Sequence, residues 1–358
     1  MTPAVLTPEV RLAERLDLAR VAPFLLPLGG PSFAERFGDG TIEDFYRWKY
    51  FGNPLGEAIV GIATAGEAVV SVVAATPKRI LISGTPVVAY ELGDFLTDES
   101  YRKRGLFSQL IERVCSEVTT RSPLVYVRPN ENSYPILANK LGFREVQRID
   151  ARRFVIPSHT IARKTGVPVG LLQLTGMDWF VRSRSIPRVS SGVRVVSVTR
   201  FENEIDQLWQ RASSAFDFAL VRDHAYLNWR FAECPTPYTM WRAEKNGQST
   251  GYIVTSAERG APVAAIVDLF AEAQDDETVR ALVSTAMNHL LESGVQLIST
   301  WTLQSHARSA AHRILQRAIP MPRKQHLHLV FKNLGSQPLA LPETSQNWHF
   351  TLGDCDGS

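Results

Sequence analysis

Little in the chain is built for metals, disulfides or membranes. Three cysteines, Cys115, Cys234 and Cys355, stand far apart with no CxxC pair, so a disulfide framework and a thiolate metal site are both unexpected. Reduced thiols and a cytoplasmic setting are the default reading. Among eight histidines no HxxxH spacing occurs. Only His326 and His328 alternate, on a strand expected between Pro322 and Gly335, and a surface pair is expected there rather than a metal site. No stretch approaches the roughly 18 apolar residues of a membrane span, and no basic segment leads into an apolar leader. Charge of one sign is lacking too: 39 Lys and Arg stand against 36 Asp and Glu, so no nucleic-acid partner follows from charge.

What the chain does have is length and a repeat. At about 100 to 200 residues per domain, two domains are expected. A composition of 44% hydrophobic and 21% charged residues fits a globular protein. Tyr46, Trp48, Lys49, Tyr50 and Pro54 are echoed by Tyr226, Trp229, Arg230, Phe231 and Pro235. Aligning the two tryptophans sets an offset of 181 residues, at which Ala65-Gly66-Glu67 falls on Asn246-Gly247-Gln248. Upstream, Val10-Arg-Leu-Ala lies near Val193-Arg-Val-Val. Coincidences at one offset predict a duplicated architecture.

Each half reads as a short strand, a helical region, the Trp segment, an antiparallel hairpin, then strand, helix, strand and helix. That order is α+β, two similar domains, each a mixed, mostly antiparallel sheet flanked by helices. In the first half, hairpin strands are expected near 58–65 and 68–76 and a further strand over 87–97. Leu106, Leu110, Ile111, Val114 and Val118 give helical spacing over 106–119, followed by a strand at 124–128 and a helix over 133–141 ended by Gly142. The expected division is 1–156 for the first domain, 157–192 for an ordered connector carrying Leu171, Leu172, Leu174, Trp179 and Phe180, 193–334 for the second domain, and 335–358 for a fraying tail.

The segment richest in chemistry runs from Tyr90-Glu-Leu-Gly-Asp-Phe-Leu-Thr97 into a basic, glycine-containing turn, Arg102-Lys-Arg-Gly-Leu-Phe-Ser108, that opens a helix. Such a turn aims backbone N–H groups at a phosphate, the helix dipole and cations add attraction, and Gly105 lets the backbone come close. Downstream follow Val127-Arg-Pro-Asn130-Glu-Asn-Ser133-Tyr134 and Asn139-Lys140-Leu141-Gly142-Phe143. Together these resemble motifs A and B of the GNAT N-acetyltransferase superfamily, with Phe107 where motif A has a small residue. The resemblance implies acetyl-CoA or another acyl-CoA as co-substrate, and no metal. It implies a pyrophosphate on Arg102, Lys103, Arg104, Gly105, Leu106, Phe107 and Ser108, with the Phe107 ring turned toward the core. A pantetheine arm would follow the main chain of Phe95, Leu96 and Thr97, with Asn130 and Ser133 near it or the thioester.

An amine must be neutral to attack a thioester, which calls for a base. Glu91, eleven residues before Arg102, resembles in spacing the glutamate base of the histone-acetyltransferase branch. Strand alternation puts it in phase with Phe95 and Thr97, with Asp94 on the opposite face; an ion pair with a neighbouring Arg or Lys is its alternative use. The tyrosine that protonates the departing thiolate in many GNAT enzymes would fall at Ala138. Tyr134, one helical turn earlier, is the candidate acid, although a thiolate with a pKa of about 8 to 9 can leave unaided. In the second half Asp275, Asp276 and Glu277 stand where a phosphate needs cations, so no CoA is expected there. That half is expected to build the acceptor pocket, with Trp48, Asp94 and Trp229 facing the cleft. The expected activity is transfer of an acyl group to the amine of a small molecule, such as an amino sugar or a biosynthetic intermediate, by a monomer or homodimer. A non-catalytic CoA- or nucleotide-sensing protein and a Fem-type aminoacyl transferase are the alternatives.

Overall fold

A computed structural model describes residues 7–29, 40–189, 192–257, 262–303, 309–336, 339–343 and 347–355. The first half comprises β1 (Glu9–Leu12), α1 (Leu18–Leu25), α2 (Ile42–Phe51), β2 (Ile59–Ala65), β3 (Ala68–Ile82), β4 (Thr85–Thr97), α3 (Leu106–Thr119), β5 (Leu124–Val127), α4 (Tyr134–Lys140) and β6 (Arg144–Val155). Three connector helices follow: α5 (Pro157–Thr165), α6 (Val169–Gln173) and α7 (Met177–Ser185). The second half repeats the plan with β7 (Arg194–Val198), α8 (Glu204–Ala212), β8 (Phe218–Leu220), α9 (His224–Leu227), β9 (Thr239–Lys245), β10 (Gln248–Ala257), β11 (Val263–Ala271), α10 (Asp276–Glu292), β12 (Leu297–Leu303), α11 (Ala310–Ala318) and β13 (Met321–Asn333). A short β14 (Trp348–His349) ends it.

The α+β reading holds, and the two sheets join. Their strand order is β1-β2-β3-β4-β5-β13-β6-β12-β11-β10-β9-β7. Each half gives its last strand to the other: β13 lies antiparallel between β5 and β6, and β6 lies antiparallel beside β12. Neither half completes its sheet from its own chain. The division expected at 156 and 193 follows the chain but not the hydrogen bonding.

Strand β3 shows why a long apolar run stands here. Val70, Val73 and Ala75 pack under α3, while Val69, Val72 and Ala74 face the core between the halves. A strand covered on both faces needs no polar alternation. A third core lies beneath α10 and α11. The repeat tryptophans meet at the centre: the indole rings stack with centroids 5.1 Å apart. Trp48 donates its N–H to the carbonyl of Trp229 at 2.7 Å, and Trp229 donates back to the carbonyl of Trp48 at 3.2 Å. The internal repeat therefore folds into a reciprocal contact.

Three expectations need correction. The β3–β4 hairpin extends past Pro77 to a turn after Ile82, and Ile80–Ile82 pair with β8 of the second half. Pro77 sits opposite Tyr90 within this ladder without ending it. The tail does not fray where it is described. Trp348 and Phe350 are fully buried, and Trp348 stacks on Phe218 at 4.0 Å. The connector is ordered, with α5 tied to α7 through Ser158, whose N–H and hydroxyl both donate to Asp178, but its aromatics point outward: Trp179 is 72% and Phe180 52% exposed. Among the described residues no helix is long and apolar enough to cross a membrane.

Candidate active site

Strands β4 and β5 run parallel but pair only at Tyr90–Val125 and Glu91–Tyr126. Beyond Glu91, β4 stays bonded to β3 on one side, and its other edge opens onto a cavity of about 240 Å³. The walls include Lys49, Thr76, Glu91, Asp94, Phe95, Arg128, Asn130 and Cys355. They come from α2, β3, β4, the end of β5 and the tail.

A β-bulge reshapes the expected face of β4. Val72 lies opposite Leu96 and Ala74 opposite Gly93, so two residues, Asp94 and Phe95, oppose Val73 alone. Asp94 takes up the extra residue at φ 55°, a backbone region that costs about 1 to 3 kcal/mol unless the surroundings hold it. Lys49 Nζ holds the carboxylate at 2.8 Å and the Tyr50 hydroxyl donates to it at 2.9 Å. Simple alternation separated Glu91 from Asp94. The bulge brings both to the same cavity, correcting the opposite-face expectation.

Glu91 is buried at 7% exposure, with the fully buried Lys78 ammonium 3.7 Å away. Lys78 itself lies over the Tyr226 and Trp229 rings at 5.4 and 5.2 Å. The ion-pair reading of Glu91 and its place in the cavity therefore coexist. Burial, and then the nearby Glu91 carboxylate, push the Cys355 thiol well above its ordinary value. Cys355 is thus held as a neutral thiol, a donor toward Glu91 rather than a thiolate nucleophile. Arg128 spreads its guanidinium over Trp301 of β12, 5.1 Å from the ring centroid, and its buried Nε has no partner.

The open edge of β4 leads to the basic turn. Arg102, Lys103, Arg104 and Gly105 are all exposed, with Lys103 at φ 63° and Gly105 at φ 79°. Gly105 is the N-cap of α3 and offers no side chain to the helix start, leaving first-turn N–H groups directed outward. Arg102 pairs with Glu99 at 3.0 Å, and Arg104 lies over the Tyr101 ring. Leu106 is buried, whereas Ser108 is half-buried. Phe107 packs edge-on against Phe95 at 5.1 Å, so its bulk turns away from the loop.

Other expected site residues fall less simply. The Leu96 carbonyl accepts from the Ser71 hydroxyl, and the Thr97 hydroxyl lies 2.8 Å from it. Asn130 lines the cavity, but its side-chain oxygen accepts from the Asn132 and Ser133 N–H groups, and the buried Ser133 hydroxyl turns back on Asn130. Tyr134 is not a cavity residue: its hydroxyl donates to Glu145 at 2.9 Å and its ring stacks on His328 at 4.1 Å. Trp48 and Trp229, 9% and 2% exposed, belong to the central core and not to an acceptor face. Two large indoles gain more by stacking on each other out of water than by lining a polar cleft. The next residue, Lys49, is the one that reaches the cavity. Sequence reasoning missed Lys49, Arg128 and Cys355 as cavity residues, and Lys78 as the buried partner of Glu91. Lys49 and Arg128 lie inside the motifs already quoted, but nothing in local spacing marks Cys355. The side chain of His326 lies outside the described residues.

The matching helix start in the second half is closed. Asp275 caps α10 by accepting from the Thr278 N–H at 3.0 Å, and Lys245 pairs with Asp275 and Glu277 at 2.8 and 3.0 Å.

Residues 31–145 match the acetyltransferase (GNAT) domain family. No curated protein matches the chain in sequence. Solved structures do share its fold. A probable N-acyltransferase from Enterococcus faecalis superposes with a TM-score of 0.57 at 15% identity, over 92% of this chain and 73% of that one. A GCN5-related N-acetyltransferase from Anabaena variabilis gives 0.60 at 13%, over 92% and 73%. The N-myristoyltransferase of Saccharomyces cerevisiae with bound myristoyl-CoA gives 0.59 at 13%, over 92% and 83%. An acetyltransferase (GNAT) domain is thus matched within the first half of the chain, and its α+β fold is one that these structures share along nearly its whole length.

Proposed function

We propose that the chain moves an acyl group from acyl-CoA to the amine of a small molecule held between its halves, with Glu91 as the base. One observation carries the reading: the exposed, uncapped basic start of α3 and the carboxylate of Glu91 lie at the two ends of one unpaired stretch of β4. A pyrophosphate is attracted to the cations and N–H groups at one end. Pantetheine in extended form can add to the open strand edge, presenting its thioester in the cavity at the other.

The reaction then balances as follows. Glu91 takes a proton from the bound ammonium and releases it to solvent. The freed nitrogen lone pair forms the C–N bond, and the C–S bond breaks with its electron pair passing to sulfur. The second nitrogen proton neutralises the thiolate, giving amide and CoA thiol. Tyr134 is committed to Glu145 and takes no part. Asp94 shapes the pocket through Lys49 rather than acting as a second base. The neutral Cys355 thiol helps orient Glu91.

Glu91→Gln tests the assignment. General-base catalysis contributes about 10² to 10⁴-fold, so thiol release from acyl-CoA with a responsive amine should fall by that order while acyl-CoA affinity stays within about twofold. Unchanged turnover would remove Glu91 from the mechanism. Acyl-CoA binding without thiol release, for any amine in a broad panel, would leave the chain a CoA-sensing protein.

A further inference from the structure

Resting on the transferase reading, the cavity also carries information about the acceptor. Its charges do not cancel. Asp94 is matched by Lys49 and bonded by Tyr50, and Glu91 is matched by Lys78. Arg128 is left over: no carboxylate of the described residues is bonded to it, and its Nε is buried without a partner. A guanidinium held over an indole and bonded to no carboxylate keeps N–H groups to offer, and its fork matches a planar carboxylate through two parallel hydrogen bonds. An unmatched cation partly withdrawn from water is unfavourable until an anion reaches it.

Position points the same way. Tyr126, two residues before Arg128, is the register partner of Glu91, and Tyr126 packs in the core between the halves. Arg128 lines the same cavity and reaches Trp301 of the second half. The pyrophosphate cations are at the far end of β4, so Arg128 faces the reacting end of the cleft rather than the nucleotide end.

We infer that Arg128 anchors a carboxylate of the acceptor, and that the acceptor is an amino acid or another small amine carrying a carboxylate. Glu91 receives the ammonium and Arg128 the carboxylate, so a zwitterion is oriented by two opposite charges in one cavity. The same guanidinium would also suit an acyl group ending in a carboxylate, and the test separates that source.

The test uses matched acceptors: amino acids, their amides, and the corresponding amines without the carboxyl group. Each is assayed with acetyl-CoA and with succinyl-CoA by thiol release, and the free acids are assayed for binding by calorimetry in the presence of CoA. At least one amino acid should exceed its amide and its amine by tenfold or more in kcat/KM with acetyl-CoA. Arg128→Gln should raise KM for that acid by 10- to 100-fold and change the slow reaction of the plain amine far less. Arg128→Lys should fall between, and both variants should melt within a few degrees of the parent, or be compared by binding alone.

Equal loss for acid and plain amine overturns the proposal, because Arg128 would then act on the thioester. A preference for succinyl-CoA with no discrimination among acceptors overturns it in favour of the acyl group. Carboxylate binding that depends on Arg128 but is not followed by thiol release supports the anchor and sinks the transferase reading. Transfer that ignores the carboxylate does the reverse. No carboxylate response in either assay also rejects the anchor.

Discussion

At the start of α3 the chain leaves a helix terminus open, whereas at the start of α10 its own side chains close one. The first opening has Gly105 as cap and exposed cations around it; the second has the Asp275 side chain on the Thr278 N–H and Lys245 bridging Asp275 and Glu277. The cations at the repeat position after the tryptophans diverge as well. Lys49 holds Asp94 in a cavity. Arg230 instead donates to the carbonyls of Gly353 and Cys355 in the tail. That tail lies on β11, with Gly353 backed closely against the Val267 carbonyl. In this duplicated scaffold one half keeps an open helix start, and the other holds the chain's own end.

The largest effect is expected where that tail is anchored. Arg222, fully buried, is bonded by Asp354 at 2.7 Å and lies 3.3 Å from Asp268, whose other oxygen accepts from Tyr252 at 2.7 Å. Removing one partner of a buried pair typically costs about 3 to 5 kcal/mol. Asp354→Ala should lower stability by that order in urea unfolding. A loss of only a few tenths would mean the tail is a loose cover, and the contrast between the halves would weaken.

Acid should open the same region at slightly smaller cost. Burial, aided by the charge of Arg222, lowers the His312 imidazole from an ordinary 6.5 to about 4, and burial likewise drives His349 of β14 well down. Both are neutral in the folded protein at neutral pH. Below the unfolded value the unfolded chain takes up protons that the folded chain refuses, so this contribution is whole above pH 6.5 and is lost as pH falls through about 4. For His312 alone the shift corresponds to about 3 kcal/mol. Unfolding free energies measured from pH 7 to 4 should fall more steeply in the parent than in His312→Asn. Parallel curves would show that His312 is not the source.

Much of the fold was legible from the sequence because it rests on periodicity. The helical spacing from Leu106 to Val118 returned as α3, and the repeat about Trp48 and Trp229 returned as a reciprocal indole contact. The open turn before α3 was legible because a glycine at positive φ before a helix is a local property. What failed depends on distant parts of the chain. A single bulge at Asp94 reversed the face assignment on β4, strand exchange between β6 and β13 has no local signature, and Cys355 reaches the cavity only because aromatics in the tail find the core. The exposed Trp179 and Phe180 are the reverse case, apolar residues that the fold leaves at the surface.

Arg104→Glu comes next in size. Three cations and an open helix start share the proposed pyrophosphate contact, and one charge-assisted contact is worth about 1.5 to 3 kcal/mol. Reversing Arg104 should weaken acyl-CoA binding by about 10- to 100-fold. Its exposure predicts little change in melting temperature without ligand. Retained affinity would move the cofactor away from this turn.

The smallest change bears directly on why only one half is open. Asp275→Ala removes the cap of α10, a loss of about 1 kcal/mol, and leaves Lys245 with Glu277 alone. The variant therefore turns the second helix start into something closer to the first: uncapped and less acidic. Acyl-CoA titration should still give one site per chain, since a helix terminus without an open strand edge leading to it offers pyrophosphate a foothold but gives pantetheine nowhere to lie, and the tail still covers β11. A second site appearing in Asp275→Ala would mean that two side chains at the helix start, and not the folded-in tail, are what silenced the second half.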